Sequence, residues 1–186
     1  MRVETELAKA AWSALDYRLL ARMALLLFAA WFIPFLGFGQ EVTGPLVNAL
    51  LLISVETVGI SNAILVGCVP SFVAWSKGVL PAPMLVMIPF IIAGNVLLVV
   101  VYGSLRRFNY WLAVAVAAVV KMAFLWLAVD FVTGSPLAIQ IGQQITQAVF
   151  SPAFTLMFHY PQFLTAVAGG IIAWVAIRGY RLANRK

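Results

Sequence analysis

Residues 112–131 read LAVAVAAVVKMAFLWLAVDF: nine apolar residues, Lys121, eight more, then Asp130. A helix needs about 20 residues to cross ~30 Å of hydrocarbon, so this run has the length of a membrane span. A charge at the centre of such a run costs roughly 2.5–3.5 kcal/mol on insertion scales. A side chain of that kind turns toward the interior of a bundle, where it is paired or lines a polar cavity. The run therefore demands neighbouring helices, and it raises the question of what Lys121 faces.

The remainder of the chain supplies those neighbours. Of 186 residues, 64% are hydrophobic and 10% charged, where a soluble domain carries about 25% charge. The expected fold class is an all-α integral membrane protein, a single domain over 1–186 with six spans at about 19–39, 44–58, 61–76, 83–103, 109–132 and 160–180. A continuous helix over 44–76 would be ~50 Å long, too long for one bilayer. VGISN at 58–62 breaks it, with Gly59 as a stop and Ser61 as a cap. A tight hairpin is the better reading. Residues 1–18 read as a short cytoplasmic lead-in helix rather than a cleavable signal peptide, being mixed and charged.

The net charge of +6 sorts along this topology. Six spans put Arg2, Lys9, Arg18, Arg22, Arg106, Arg107, Arg178, Arg181, Arg185 and Lys186 on one side and only Lys77 on the other. The positive-inside rule then predicts cytoplasmic N- and C-termini. Basic residues at span ends are topology signals and do not call for a nucleic acid partner; the expected surroundings are a lipid bilayer. The chain holds no G-x-S-x-G elbow, P-loop or H-E-x-x-H. One cysteine, Cys68, and one histidine, His159, make no metal site. The expectation is a chain that is not an enzyme and binds no metal or cofactor of its own.

Candidate binding residues follow from depth. Lys121 lies about twelve residues below Thr133, Glu56 about twelve below Gly44, and Asn95 about twelve below Pro83. All three then sit ~18 Å below the outer span ends. Two answers stay open for Lys121: a buried ion pair with Glu56, aided by Asn95, or the anionic group of a ligand. Higher up, Asn48, Trp75, Trp126, Asp130 and His159 are candidates for an outer cavity, with an interfacial belt or capping role as the plainer alternative. Residues 134–150 read GSPLAIQIGQQITQAVF, with Gln140, Gln143, Gln144 and Gln147 at i, i+3, i+4 and i+7. This spacing predicts an amphipathic helix at the outer interface, its glutamine face meeting either water or a polar ligand.

The stretch 43–105 resembles the substrate-binding S components of energy-coupling factor (ECF) transporters. The resemblance rests on T-G-P-x-x-N-A-L-L-L at Thr43–Leu52, the hairpin after it, L-P-A-P at Leu80–Pro83 and P-F-I-I-x-G-N at Pro89–Asn95. It looks most like the branch often labelled "iron hydrogenase", a label that the absence of cysteine ligands contradicts here. The resemblance implies a six-helix bundle in the plasma membrane that captures a vitamin or other micronutrient from outside. It also implies a transmembrane coupling protein and two ATPase subunits as partners, which use the ATP. Carried over, the pocket falls at Gly44, Asn48, Asn95, Lys121, Trp126, Gln143, Gln147 and His159. The family's docking surface of small residues on the first helix is matched in spacing by Ala10 and Ala14, which precede the span; Ala21 and Ala24 are three apart. The competing expectation is a scaffold subunit of a cell-envelope complex, with a dry core and Lys121 paired to Glu56.

Overall fold

The computed structural model describes residues 16–76, 82–134, 138–141, 144–147 and 151–183. In chain order they form α1 (Tyr17–Phe35), α2 (Gln40–Ser76), α3 (Ala82–Leu105), α4 (Tyr110–Gly134), β1 (Ala138–Ile141), β2 (Gln144–Gln147), α5 (Pro152–Leu156) and α6 (Tyr160–Ala183). Five stretches are long and apolar enough to cross a membrane: Tyr17–Phe35, Gln40–Val58, Leu85–Leu105, Tyr110–Gly134 and Pro152–Leu182. Ile60–Val73 is apolar but shorter.

Local chemistry sets the helix ends. Asp16 caps α1, its Oδ1 accepting from the backbone N–H groups of Arg18 at 3.0 Å and Leu19 at 3.2 Å. Asn109 does the same for α4, accepting from Leu112 N at 3.0 Å. Ser151 caps α5 through Phe154 N at 3.2 Å, with Pro152 in the first turn where its missing N–H is harmless.

The helix α2 is a hairpin. Gly59 has φ 83° and ψ 171°, a backbone state open only to glycine, and it divides α2 into two arms. A Cβ built at Gly67 would lie 3.4 Å from Leu51 Cδ2. In a continuous helix those two positions would be ~24 Å apart. The arms therefore fold back on each other, as the sequence predicts from VGISN.

This hairpin is the centre of the bundle. It packs against α1, α3 and α6, while α4 packs against α3 and α6. Leu51, Leu52, Val55, Val66, Val99, Ala113, Ala117, Ala118, Ala166 and Ala173 are fully buried between them. Small residues let the backbones close up, as helix contacts in lipid require. Gly169 of α6 lies directly against the backbone of α2: a Cβ there would meet Asn48 Cβ at 2.7 Å, Ala49 N at 2.8 Å and Pro45 O at 2.8 Å. The helix α1 packs against α2 and leaves Leu25, Phe28, Trp31 and Phe32 exposed.

Arg22 near the start of α1 donates to Thr57 O at 3.5 Å, and Arg181 near the end of α6 lies 3.3 Å from Glu56 Oε2. The start of α1, the turn at Gly59 and the end of α6 thus share one end of the bundle.

One expectation is corrected. Within 134–150 the described residues form an antiparallel pair, Ala138–Gln147 through Ile141–Gln144, where the glutamine spacing predicts a helix. Ile139, Ile141, Ile145 and Thr146 are β-branched, and Gly142–Gln143 between the runs is a two-residue hairpin signal. The register sets Gln140 and Gln147 at positions of one face and Gln144 at a position of the other. The lead-in segment, with Ala10 and Ala14, lies outside the described residues, as does Gln143. Ala21 and Ala24 are exposed on α1.

Two glycine substitutions test this architecture. Gly59→Ala forces a side chain into a glycine-only conformation and is expected to cost about 1–3 kcal/mol. Gly169→Ala wedges α6 off α2 and is expected to cost a similar ~1–3 kcal/mol by overpacking. Both are read by denaturant unfolding in detergent; an unchanged Gly59→Ala midpoint would mean the turn is not strained.

Candidate functional site: a buried lysine held by two asparagines

Lys121 sits halfway along α4 and is 4% exposed. Its Nζ donates to Asn48 Oδ1 at 2.6 Å and to Asn95 Oδ1 at 2.9 Å. Asn48 comes from the first arm of α2 and Asn95 from α3, so one ammonium ties three helices together. Both asparagines are themselves buried.

Each amide is oriented by an onward bond. Asn95 Nδ2 donates to Gly67 O at 3.1 Å on the second arm of α2. Asn48 Nδ2 donates to Thr165 Oγ1 at 3.4 Å, Thr165 Oγ1 donates to Gln162 O at 3.1 Å, and Gln162 Nε2 donates to Met157 O at 3.0 Å. With both NH₂ groups engaged, both carbonyl oxygens are left for the lysine. The polarity runs one way, from Lys121 outward to backbone carbonyls on α2 and before α6.

A cavity of about 130 Å³ opens beside this knot. Its described lining includes Lys121, Asn48, Asn95, Ser71, Gly44, Gln40, Thr43 and Gln162, with Pro34, Val47, Pro70, Ile88, Ile91, Met157 and Phe158 as apolar wall. These residues come from the end of α1, both ends of the α2 hairpin away from Gly59, the first half and middle of α3, the middle of α4, and the segment leading into α6 with that helix's first turn. The cavity therefore extends toward the end of the bundle opposite the arginines. Ser71 Oγ is buried without a hydrogen-bond partner among the described residues.

The Lys121–Glu56 ion pair is not formed. Glu56 lies eight residues beyond Asn48, ~12 Å along the helix axis, close to the turn at Gly59. There its Oε1 accepts from Tyr102 OH at 2.8 Å and meets Arg106 Nη1 at 3.0 Å, and its Oε2 meets Arg181. Arg106 Nη1 also donates to Val55 O at 3.1 Å. Depth counted from span ends misplaced Glu56 because the first arm of α2 begins at Gln40 and ends at the turn, so residue 56 belongs to the arginine end.

Of the residues expected at the pocket, Gly44, Asn48, Asn95 and Lys121 come together around it. Trp126 and His159 do not line it. Instead they stack on each other with ring centroids 4.5 Å apart, and His159 Nε2 lies 3.6 Å from Asp130 Oδ1, an ion-pair distance too long for a hydrogen bond. The side chains of Trp75 and Gln147 lie outside the described residues. Sequence reasoning missed Ser71, Gln162 and Thr165. Gln162 carried a usable signal, a neutral polar residue just inside the last apolar run; Ser71 and Thr165 read as ordinary span residues.

No family model, curated protein or solved structure matches the chain. What the site defines by itself is a membrane-type helical bundle with a cationic, partly polar cavity. Among the described residues no three of histidine, cysteine, aspartate or glutamate gather where a metal could be held.

Asn95→Leu removes one of two partners from Lys121 and one from Gly67 O, and is expected to destabilise the fold by about 1–3 kcal/mol. A double-mutant cycle of Lys121→Met with Glu56→Gln is expected to be additive within ~0.5 kcal/mol, because the two groups share no partner. A larger coupling in the unfolding midpoints would restore the ion pair.

Proposed function

We propose that this chain is the substrate-capturing subunit of an ATP-driven importer of the ECF type. It would take a vitamin or other small micronutrient from outside and deliver it inward with a transmembrane coupling protein and two ATPase subunits. The observation that carries this reading is the cavity floored by Lys121, inside a bundle of apolar helices. A membrane scaffold has no need of a buried cation beside an empty space, and such a residue marks a ligand or ion path by default. The T-G-P-x-x-N-A and P-F-I-I-x-G-N motifs add to it: their asparagines, Asn48 and Asn95, are the two that hold Lys121.

Charge supports an orientation. Arg22, Arg106, Arg107, Arg178 and Arg181 gather at the end of the bundle shared by the start of α1 and the end of α6. By the positive-inside rule that end faces the cytoplasm, and the cavity faces outward. Six crossings in the plasma membrane, with both termini inside, follow if Ile60–Val73 spans together with its partner arm.

One feature favours the scaffold alternative: Lys121 already has two hydrogen bonds and needs no ligand to be held. The readings separate on partners. Tagged chain purified from its own membranes should bring down a transmembrane coupling protein and two ATPases in fixed ratio, and ATP should change that association. Recovery of other envelope proteins with no ATPase module would replace the importer with the scaffold.

A further inference from the structure

We propose that the cavity beside Lys121 is built for a small organic monoanion, a compact carboxylate-like head on a short apolar body. This rests on the capture reading and names the class of its substrate. Four observations converge on it.

First, the ammonium group has three donors and the structure occupies two, with Asn48 and Asn95. The third belongs to a group that lines the cavity. Second, both partners are neutral amides whose orientation is fixed from behind by Gly67 O and Thr165. They satisfy hydrogen bonds without supplying a counter-charge, and none of the described lining residues is a carboxylate. Third, Ser71 Oγ is buried, 5% exposed as a residue, lines the same cavity and has no partner among the described residues. An unmatched hydroxyl donor and an unmatched ammonium donor in one space call for one acceptor-rich anion. Fourth, the remaining wall is apolar, with Val47, Ile88, Ile91 and Phe158 among its members. A single cation selects one negative charge; a dianion would carry its second charge against that wall.

Size narrows the class further. The cavity of about 130 Å³ is close to the ~150 Å³ that takes up benzene in an engineered core, so the part of the ligand it holds is about the size of one six-membered ring.

The test uses the full chain in detergent and matched probes: benzoate against benzamide, and hexanoate against hexanamide. Binding is read by thermal shift and calorimetry, and small molecules released from freshly purified chain are weighed by mass spectrometry. The anions are expected to bind at least tenfold more tightly than their amides. In Lys121→Met that preference should collapse to within about twofold. Because that variant leaves two amide oxygens unpaired and is open to misfolding, Ser71→Ala serves as the second variant. It removes only the unmatched hydroxyl, and should weaken the anions severalfold while leaving the unfolding midpoint in place. Equal binding of amides and anions, a co-purified molecule that is neutral or cationic, an anion preference untouched by both substitutions, or no binding of any probe would each overturn the proposal. A neutral bound molecule would overturn the anion class and leave the importer standing. An anion bound by a chain that recruits no ATPase module would do the reverse.

Discussion

One nitrogen atom holds the bundle in register. Within a membrane the hydrophobic effect does not drive helix against helix, because lipid tails are as apolar as the side chains. Close packing and hydrogen bonds must decide which residue meets which. Lys121 Nζ draws Asn48 and Asn95 onto itself, and their amides reach on to the second arm of α2 and to Thr165 of α6. Four helices are thereby fixed relative to one another at a single depth. The close approach of Gly169 to Asn48 and Ala49 belongs to the same arrangement, since Asn48 can stand between Lys121 and Thr165 only if α6 lies directly against α2.

The charged groups are sorted along the bundle axis. Glu56 takes Arg106, Arg181 and Tyr102 at the end where the hairpin turns, and Arg178 lies over Trp174 at 4.7 Å from the ring centroid. That end closes by charge neutralisation between side chains that keep access to water. In the half that holds Lys121, the described carboxylates Glu41 and Asp130 lie outside the lining of its cavity. Segregation of this kind keeps Glu56 from quenching the lysine. It also leaves the cationic cavity on the side away from the arginines, so the two basic features do not compete for one anion.

Much of this was legible in the sequence, and the reasons are specific. The apolar runs and the Gly59 break each have a steric or solvation cause that acts locally, so the five long apolar helices and the hairpin follow from the residues alone. Lys121, Asn48 and Asn95 stand out because each is polar where lipid permits little polarity. The pairing among them is a different matter. Depth by counting assigns all residues twelve below a span end to one level, and it placed Glu56 beside Lys121; the start of α2 at Gln40 and the turn at Gly59 put Glu56 at the other end. The glutamines failed for the opposite reason. A spacing of i, i+3, i+4, i+7 is also what two short strands around Gly142–Gln143 produce, and the β-branched residues between the glutamines decide for strands. Ser71 carried no signal, because a serine in a helix ordinarily bonds back to its own turn, as Ser54 and Ser104 do here.

The choice of amides around Lys121 has a consequence for both stability and function. A buried carboxylate would neutralise the ammonium and close the site, at the cost of desolvating a second ion. Two asparagines position the ammonium equally well and leave its charge uncompensated, so part of the burial cost remains in the folded chain. Such a cost persists only where the surrounding structure over-determines the conformation. Here the surroundings do so through Gly67 O, which accepts from the amide of Asn95, and Thr165 Oγ1, which accepts from the amide of Asn48. The knot is thus rigid in its hydrogen bonds and unfinished in its charge. A cavity with a serine hydroxyl that has no partner among the described residues lies where that charge is unfinished. The same three residues that set helix register also set the electrostatics of the cavity, so a shift of α2 or α3 away from α4 would alter both at once.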